Sequence, residues 1–278
     1  MPPGAGFFIA HERVEKFRKM MPTLFISHGP PAIALMENPT AVFLRALGER
    51  LPRPKAVVCA SAHWEAWRPL VSAGAAPVTI HDFGGPPALF NLRYAAPGSP
   101  ALAAEILTLL AKNGIAGAAA PDRGLDHGAW IPLMMAFPDA GIPVVQVSVQ
   151  TETDAAWHYR FGEALTPLRE KDILVMGSGG AVHNLDEIGG YPLDAPPPDY
   201  VSRFDEWLAA AATGGEVEVL LEYRKRAPEP DRCHPYPAEH FLPFFVAMGA
   251  GGGTGARRIH QGFMYGTLSM AAYLWGEA

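Results

Sequence analysis

Three short apolar runs, each closing on small residues and each followed by a histidine, constrain what this chain can fold into. Leu24-Phe25-Ile26 leads to His28, Val57-Val58-Cys59 to His63, and Ile173-Leu174-Val175-Met176 to His183. Continuous apolar runs of this kind read as strands buried on both faces, the pattern of a parallel sheet covered by helices. In an open α/β sheet, ligands bind outside the carboxyl ends of the strands. Three histidines just past strand ends are therefore placed to converge, and neutral imidazole is the commonest side-chain ligand for zinc and iron. A fourth stretch, Ala238-Glu239-His240-Phe241, sets another histidine beside a carboxylate. The residues alone point to a metal site.

Composition narrows the class. At 278 residues the chain suits one well-buried α/β core rather than several large domains. A hydrophobic fraction of 49% against 18% charged residues excludes a disordered or fibrous protein. The net charge of −6, with no dense Lys/Arg cluster, argues against a nucleic-acid partner. Arg224-Lys225-Arg226 is short and reads as a solvated helix end. No apolar run is long enough to span a bilayer, so no membrane partner is expected. Cys59 sits in a strand and Cys233 in a Pro-rich loop, which makes no disulfide framework and fits a reducing cytoplasm. Residues 1–20 lack the basic start, long apolar centre and cleavage site of a signal peptide. They are expected to be a peripheral leader, with Met20 or Met21 an alternative start and residues 21–278 the catalytic domain.

Strands are expected at 23–27, 56–62, 143–149 and 173–178. Helices are expected at about 40–50, from Ser99-Pro100 to Gly114, at 131–137, 153–168, 201–212 and 216–225, and from 238 to 248 with Glu239 and His240 in the first turn. Residues 249–255 read as a flexible glycine-rich link and 259–272 as strand-rich. The Gly/Pro-rich stretch 81–87 reads as a lid or a turn. The glycine run Gly177-Ser178-Gly179-Gly180 lacks a Walker lysine and GxGxxG spacing, so close backbone approach explains it better than phosphate binding.

A single buried histidine is usually a hydrogen-bonded core residue. His11 and His158 have only that reading, His81 and His260 are evenly balanced, and His234 beside Cys233 lacks the second half of a zinc motif. His28, His63, His183 and His240 differ because the expected architecture gathers them at one end of the sheet. His127 joins them from a loop, with Asp126 as a candidate orienting partner.

Five motifs then carry a resemblance: Ser27-His28-Gly29-Pro30-Pro31, Ser61-Ala62-His63-Trp64-Glu65, Asp126-His127-Gly128-Ala129-Trp130, Gly177-Ser178-Gly179-Gly180-Ala181-Val182-His183-Asn184 and Pro237-Ala238-Glu239-His240-Phe241-Leu242-Pro243. In this order they resemble the class III extradiol ring-opening dioxygenases, and among them the DOPA 4,5-dioxygenase-like branch of bacteria and plants, over residues 22–273. The resemblance implies one α/β domain with a mostly parallel central sheet flanked by helices and a metal site at the carboxyl ends of the strands. It implies Fe(II) for activity, with Zn(II) able to occupy the same site. The implied metal positions are His28, His63 and His240, with His183 either a fourth metal-binding residue or the acid/base, and His127 a further catalytic histidine.

Non-haem iron oxygenases usually offer two histidines and one carboxylate. In this branch His240 stands where related enzymes use a glutamate, so the adjacent Glu239 remains an alternative ligand. The implied activity inserts both atoms of O2 into a catechol, DOPA-like or otherwise substituted, in a monomeric or homodimeric cytoplasmic enzyme. Trp64, Phe83, Trp130 and Tyr236 are candidates to hold the ring. Two rivals stand beside this reading: a zinc hydrolase on the same histidines, and a non-enzymatic binding protein with the same fold.

Overall fold

Alternation of side chains along buried strands decides the layers of this protein. In the computed structural model, which describes residues 20–277, the strands are β1 (Thr23–Ser27), β2 (Ala56–Glu65), β3 (Leu70–Ser72), β4 (Ala118–Ala120), β5 (Val144–Val149), β6 (Ile173–Gly179), β7 (Val182–His183), β8 (Arg257–His260), β9 (Phe263–Met264), β10 (Leu268–Ser269) and β11 (Ala272–Trp275). The helices are α1 (Pro39–Arg50), α2 (Pro100–Lys112), α3 (His127–Ala136), α4 (Ala155–Leu165), α5 (Asp199–Gly214), α6 (Val217–Leu221), α7 (Tyr223–Arg226), α8 (Pro230–Cys233) and α9 (Leu242–Ala250). Except for Met20, the expected leader at 1–20 lies outside the described residues.

Eight strands form one sheet in the order β4-β3-β5-β2-β6-β1-β11-β8. Its centre, β5-β2-β6-β1, is parallel. β11 and β8 extend it antiparallel beside β1, and β3 pairs antiparallel with β5. On β1, Leu24 and Ile26 face a core shared with α1 and α3, while Phe25 faces one shared with α5 and α9. On β2, Val57 and Cys59 take the first side, and Val58 and Ala60 pack toward α2 and α4. The expected α/β architecture with helices on both faces is what forms. A small second sheet, β7-β10-β9, lies outside the main one. Among the described residues no helix is long and apolar enough to cross a membrane.

The expected Ser99 cap forms, accepting from Leu102 N–H at the start of α2, and Asn38 accepts from Ala41 N–H at the start of α1. Several boundaries differ from expectation. β2 runs on to Glu65, so His63 lies inside the strand rather than beyond it. Glu239 and His240 precede α9 instead of forming its first turn, because Ala238 has φ +61, outside the helical region, and Leu242-Pro243 begins the helix anew. Gly249 and Ala250 belong to α9, so the expected glycine-rich link loses its first two residues to a buried helix end. The Ala-rich strand β4 has no periodicity to announce it; its place comes from parallel pairing with β3.

The glycine run at the end of β6 is explained by close packing. Gly180 N–H donates to the His240 carbonyl at 2.8 Å, and a Cβ built on Gly179 would lie 2.0 Å from that same oxygen. Backbone crowds backbone there, with no flexible side chain to move aside. Gly179→Ala is therefore expected to destabilise the protein by about 3 kcal/mol, the upper part of the usual overpacking range, and to displace the turn that carries His240. Thermal denaturation measures the loss; an unchanged melting temperature would mean that the two segments separate easily.

Candidate metal centre

Nitrogens of three imidazoles lie close together, with His63 between the other two. His63 Nε2 lies 3.0 Å from His28 Nε2 and 3.3 Å from His240 Nε2. Metal–imidazole bonds of about 2.0–2.1 Å would separate ligand nitrogens by roughly 2.9–3.4 Å, from octahedral to tetrahedral geometry. The observed spacings fall in that range. Burial pushes the pKa values of His28 and His240 well below the ordinary value and that of His63 down to about 4, with neighbouring histidines adding to the effect. The rings are thus neutral near pH 7, the form that binds a cation.

The far nitrogens of two rings fix the tautomers. Pro132 lies inside α3 and has no N–H to give the Gly128 carbonyl one turn earlier. Ser178 Oγ donates its one proton to that carbonyl instead. It must then accept from His28 Nδ1–H, 3.0 Å away, which leaves the His28 Nε2 lone pair facing the centre. At His240, the Glu239 carboxylate accepts from Nδ1–H at 2.7 Å, with the same result. Both contacts are of the kind that would orient a histidine for metal binding. Glu239 therefore touches the outer side of His240, and its pKa is raised, chiefly by burial.

His63 is held through its backbone. The fully buried Asp126 carboxylate accepts from Ser61 Oγ, Gln146 Nε2 and Arg123 Nη2, each at 2.7 Å, and caps α3 through Ala129 N–H. Ser61 Oγ in turn accepts from His63 N–H, and Arg123 donates to the His63 carbonyl, both at 3.3 Å. Asp126 thus serves His63 and not His127, contrary to expectation. His127 is the first residue of α3 rather than a loop residue. Its partner is Asp82, whose carboxylate accepts from the His127 N–H and lies 3.0 Å from Nδ1. Burial would raise the Asp82 pKa, but its contacts with His127 hold it below the usual range. Gly128 lies against Ser61 and His63, where a Cβ would meet Ser61 Oγ at 2.6 Å and His63 at 3.0 Å.

His183 stacks flat on His240, with centroids 3.5 Å apart and planes at 7°. Burial lowers its pKa to about 4. His63 and His127 have ring centroids 3.9 Å apart. All five histidines border one cavity of about 240 Å³. Two sets of potential ligands lie around it: His28, His63 and His127, and His183, Glu239 and His240.

Of the four aromatics expected to hold a ring, Phe83 alone borders the cavity. Trp64 is buried under the Arg123 guanidinium. Trp130 is buried with its indole N–H on the Ile80 carbonyl. Tyr236 is 74% exposed, outside the cavity. His158 accepts from Gln150 N–H, and His234 stacks on Phe241 with Nε2 on the Ala181 carbonyl, both structural. His260 stacks on Phe43 and meets Thr40, while His81 meets the Leu92 carbonyl, so neither joins the centre. In the sequence Ser178 stands out only as part of the glycine run and Asp82 only as part of the stretch 81–87, and neither has an assigned partner there. Proline four residues after Gly128 was the available signal that a helix carbonyl would need an outside donor.

Residues 22–275 match the family model of the catalytic LigB subunit of aromatic ring-opening dioxygenase. A 4,5-DOPA dioxygenase extradiol of Beta vulgaris is 42% identical over 90% of this chain and 95% of its own length. The protein of the same name in Escherichia coli K12 is 40% identical over 90% and 93%. A crystal structure of an uncharacterized E. coli K12 protein superimposes with a TM-score of 0.77 at 34% identity, covering 92% of this chain and all of that one.

The clamp on His63 generates a test. Asp126→Asn keeps the shape and removes the charge that gathers Ser61, Gln146 and Arg123. Metal affinity is expected to fall by roughly 10–100-fold, the usual effect of losing an outer contact. Metal titration of the folded variant measures it, and unchanged affinity would show that His63 needs no such support.

Proposed function

The chain belongs to the LigB family of aromatic ring-opening dioxygenases, as a metal-dependent extradiol enzyme, and we propose that it uses ferrous iron held by His28, His63 and His240 to open a single-ring catechol. The observation that carries the ligand assignment is the convergence of three neutral imidazole nitrogens at 3.0 and 3.3 Å, with two far nitrogens tied back by Ser178 and Glu239. Glu239 is read as the residue that orients His240, because its carboxylate already accepts from Nδ1–H. Zn(II) suits the same imidazole set and is expected to compete for it.

Bound iron would supply a centre able to bring catechol oxygens and O2 together and to pass electrons between them. The protein's part is orientation, water exclusion and proton handling. His183 faces the cavity as a neutral imidazole and is the group proposed to take the catechol proton and later return it. His127, held by Asp82, is the second candidate for proton transfer on the opposite flank of His63. The apolar walls keep water from the reacting atoms. A cavity of about 240 Å³, below the roughly 300–1,000 Å³ of sites for drug-sized ligands, suits one substituted ring. DOPA, named for the relatives, is one such catechol. Two buried, unpaired cysteines support a reducing, cytoplasmic setting.

The test is anaerobic loading with Fe(II), followed by addition of catechols and air. Oxygen uptake with a yellow muconic semialdehyde is expected; a dicarboxylic muconate would overturn extradiol chemistry. Variants separate the histidines. His28→Ala and His63→Ala are expected to lose most of the iron. His183→Ala should retain it while turnover falls by about 10²–10⁴-fold, the usual size of an acid–base contribution. Iron analysis of the purified variants checks this; loss from His183→Ala as complete as from His28→Ala would make His183 a ligand.

A further inference from the structure

One wall of the cavity is carried by a segment with little of its own to hold it. Leu185 and Ile188 both border the cavity. They lie on residues 184–191, between β7 and α5, where the regular structure is a single 3-10 turn, Ile188–Gly190, with no buried residue. Backbone bonds there are local, such as Ile188 N–H to the Leu185 carbonyl at 3.3 Å. A Cβ built on Gly189 or Gly190 would meet nothing within 4 Å, so no neighbour grips the chain at those positions. Among the described residues, every hydrogen bond from 185–190 to another helix or strand ends on Glu187.

Glu187 is held by two elements. Arg232 of α8 donates from Nε to Oε1 at 2.7 Å and from Nη2 to Oε2 at 3.1 Å, and the Tyr200 hydroxyl of α5 donates to Oε2 at 3.1 Å. The Arg232 guanidinium also lies over the Tyr200 ring, 3.7 Å from its centre. The base of this clamp is firm. Cys233 and His234, next in the chain, are buried, and His234 stacks on Phe241. The Arg232 carbonyl accepts from Asn184 Nδ2 at 2.8 Å, just before the segment begins. An exposed ion pair usually contributes little. Here two bonds in fork geometry, which are stronger and directional, form the polar tie of an otherwise loosely held wall.

We propose that Glu187 and Arg232 are positioning residues: their ion pair latches residues 184–191 over the cavity and holds Leu185 and Ile188 against the bound ring. The inference rests on the catechol reading proposed above and deepens it. His28, His63 and His240 are carried by other elements, so the latch acts on substrate binding and leaves the metal and the chemical step in place.

The test uses the full-length Fe(II)-loaded protein with 4-methylcatechol, whose lack of charge separates wall position from electrostatic attraction. In Glu187→Gln, anaerobic binding is expected to weaken and KM in air to rise by about 5-fold, the upper value for one exposed pair. Turnover number and iron content should stay within about 2-fold, the signature of lost binding rather than lost chemistry. Arg232→Met is expected to match it, and the double variant to be no worse than either single change. Arg232→Lys, which restores the charge without the fork, should fall between. A second measurement needs no turnover. The two native cysteines are buried, so a thiol introduced by Ile188→Cys reports the wall, and its reaction with N-ethylmaleimide is expected to be about 5-fold faster when Glu187→Gln is added. Unchanged thiol reactivity, unchanged binding or additive losses in the double variant overturns the proposal, as does failure of 4-methylcatechol to bind the unaltered protein. Weakened binding and a faster thiol, in a protein that binds 4-methylcatechol without opening it, sustain the latch while removing the dioxygenase reading.

Discussion

A missing hydrogen bond in α3 organises the centre. Pro132 cannot donate to Gly128, so a buried carbonyl is left in need of a partner, and an unpaired buried carbonyl costs about 1–3 kcal/mol. Ser178, at the end of the neighbouring β6, satisfies it. That leaves the serine oxygen as acceptor for His28 Nδ1–H, and the direction of a single proton sets which face of the imidazole is basic. Helix, central strand and the histidine that follows β1 are joined by one relay of two hydrogen bonds. Were Pro132 an ordinary helical residue, the helix would close its own bond and Ser178 would be free to donate to His28, reversing the ring.

Three other groups at the centre follow the same rule, each facing the cavity and held from behind. His240 is held by Glu239, His127 by Asp82, and the His63 backbone by Ser61 and Arg123 under the Asp126 charge. Asp126 is fully buried, yet its charge is compensated by Arg123 and by neutral donors from Ser61 and Gln146, the condition under which a buried carboxylate is tolerated. The cavity wall has its own support. Asp205, buried in α5, accepts from Ser269 of β10 and from Arg258 of β8, fixing the small sheet that carries His183 against the main one. Burial raises the Asp205 pKa, so its hydrogen bonds hold a group whose charge is disfavoured there.

Sequence alone determined the α/β class, the four central strands, the main helices and the set of histidines, because each of these is written in local pattern. Apolar runs of strand length, a serine before a proline at a helix start, and motifs contiguous in the chain need no knowledge of what lies across the core. Tertiary structure decided the rest. Whether Glu239 faces the centre or backs His240, and whether Asp126 serves His127 or His63, depend on side-chain direction over residues far apart in sequence. Trp64, Trp130 and Tyr236 had the right chemistry for a ring-binding wall, but aromatic character does not reveal which side of a strand or turn faces a cavity. Periodicity fixes which residues are buried together; the three-dimensional packing of distant segments fixes which atom of each faces the cavity.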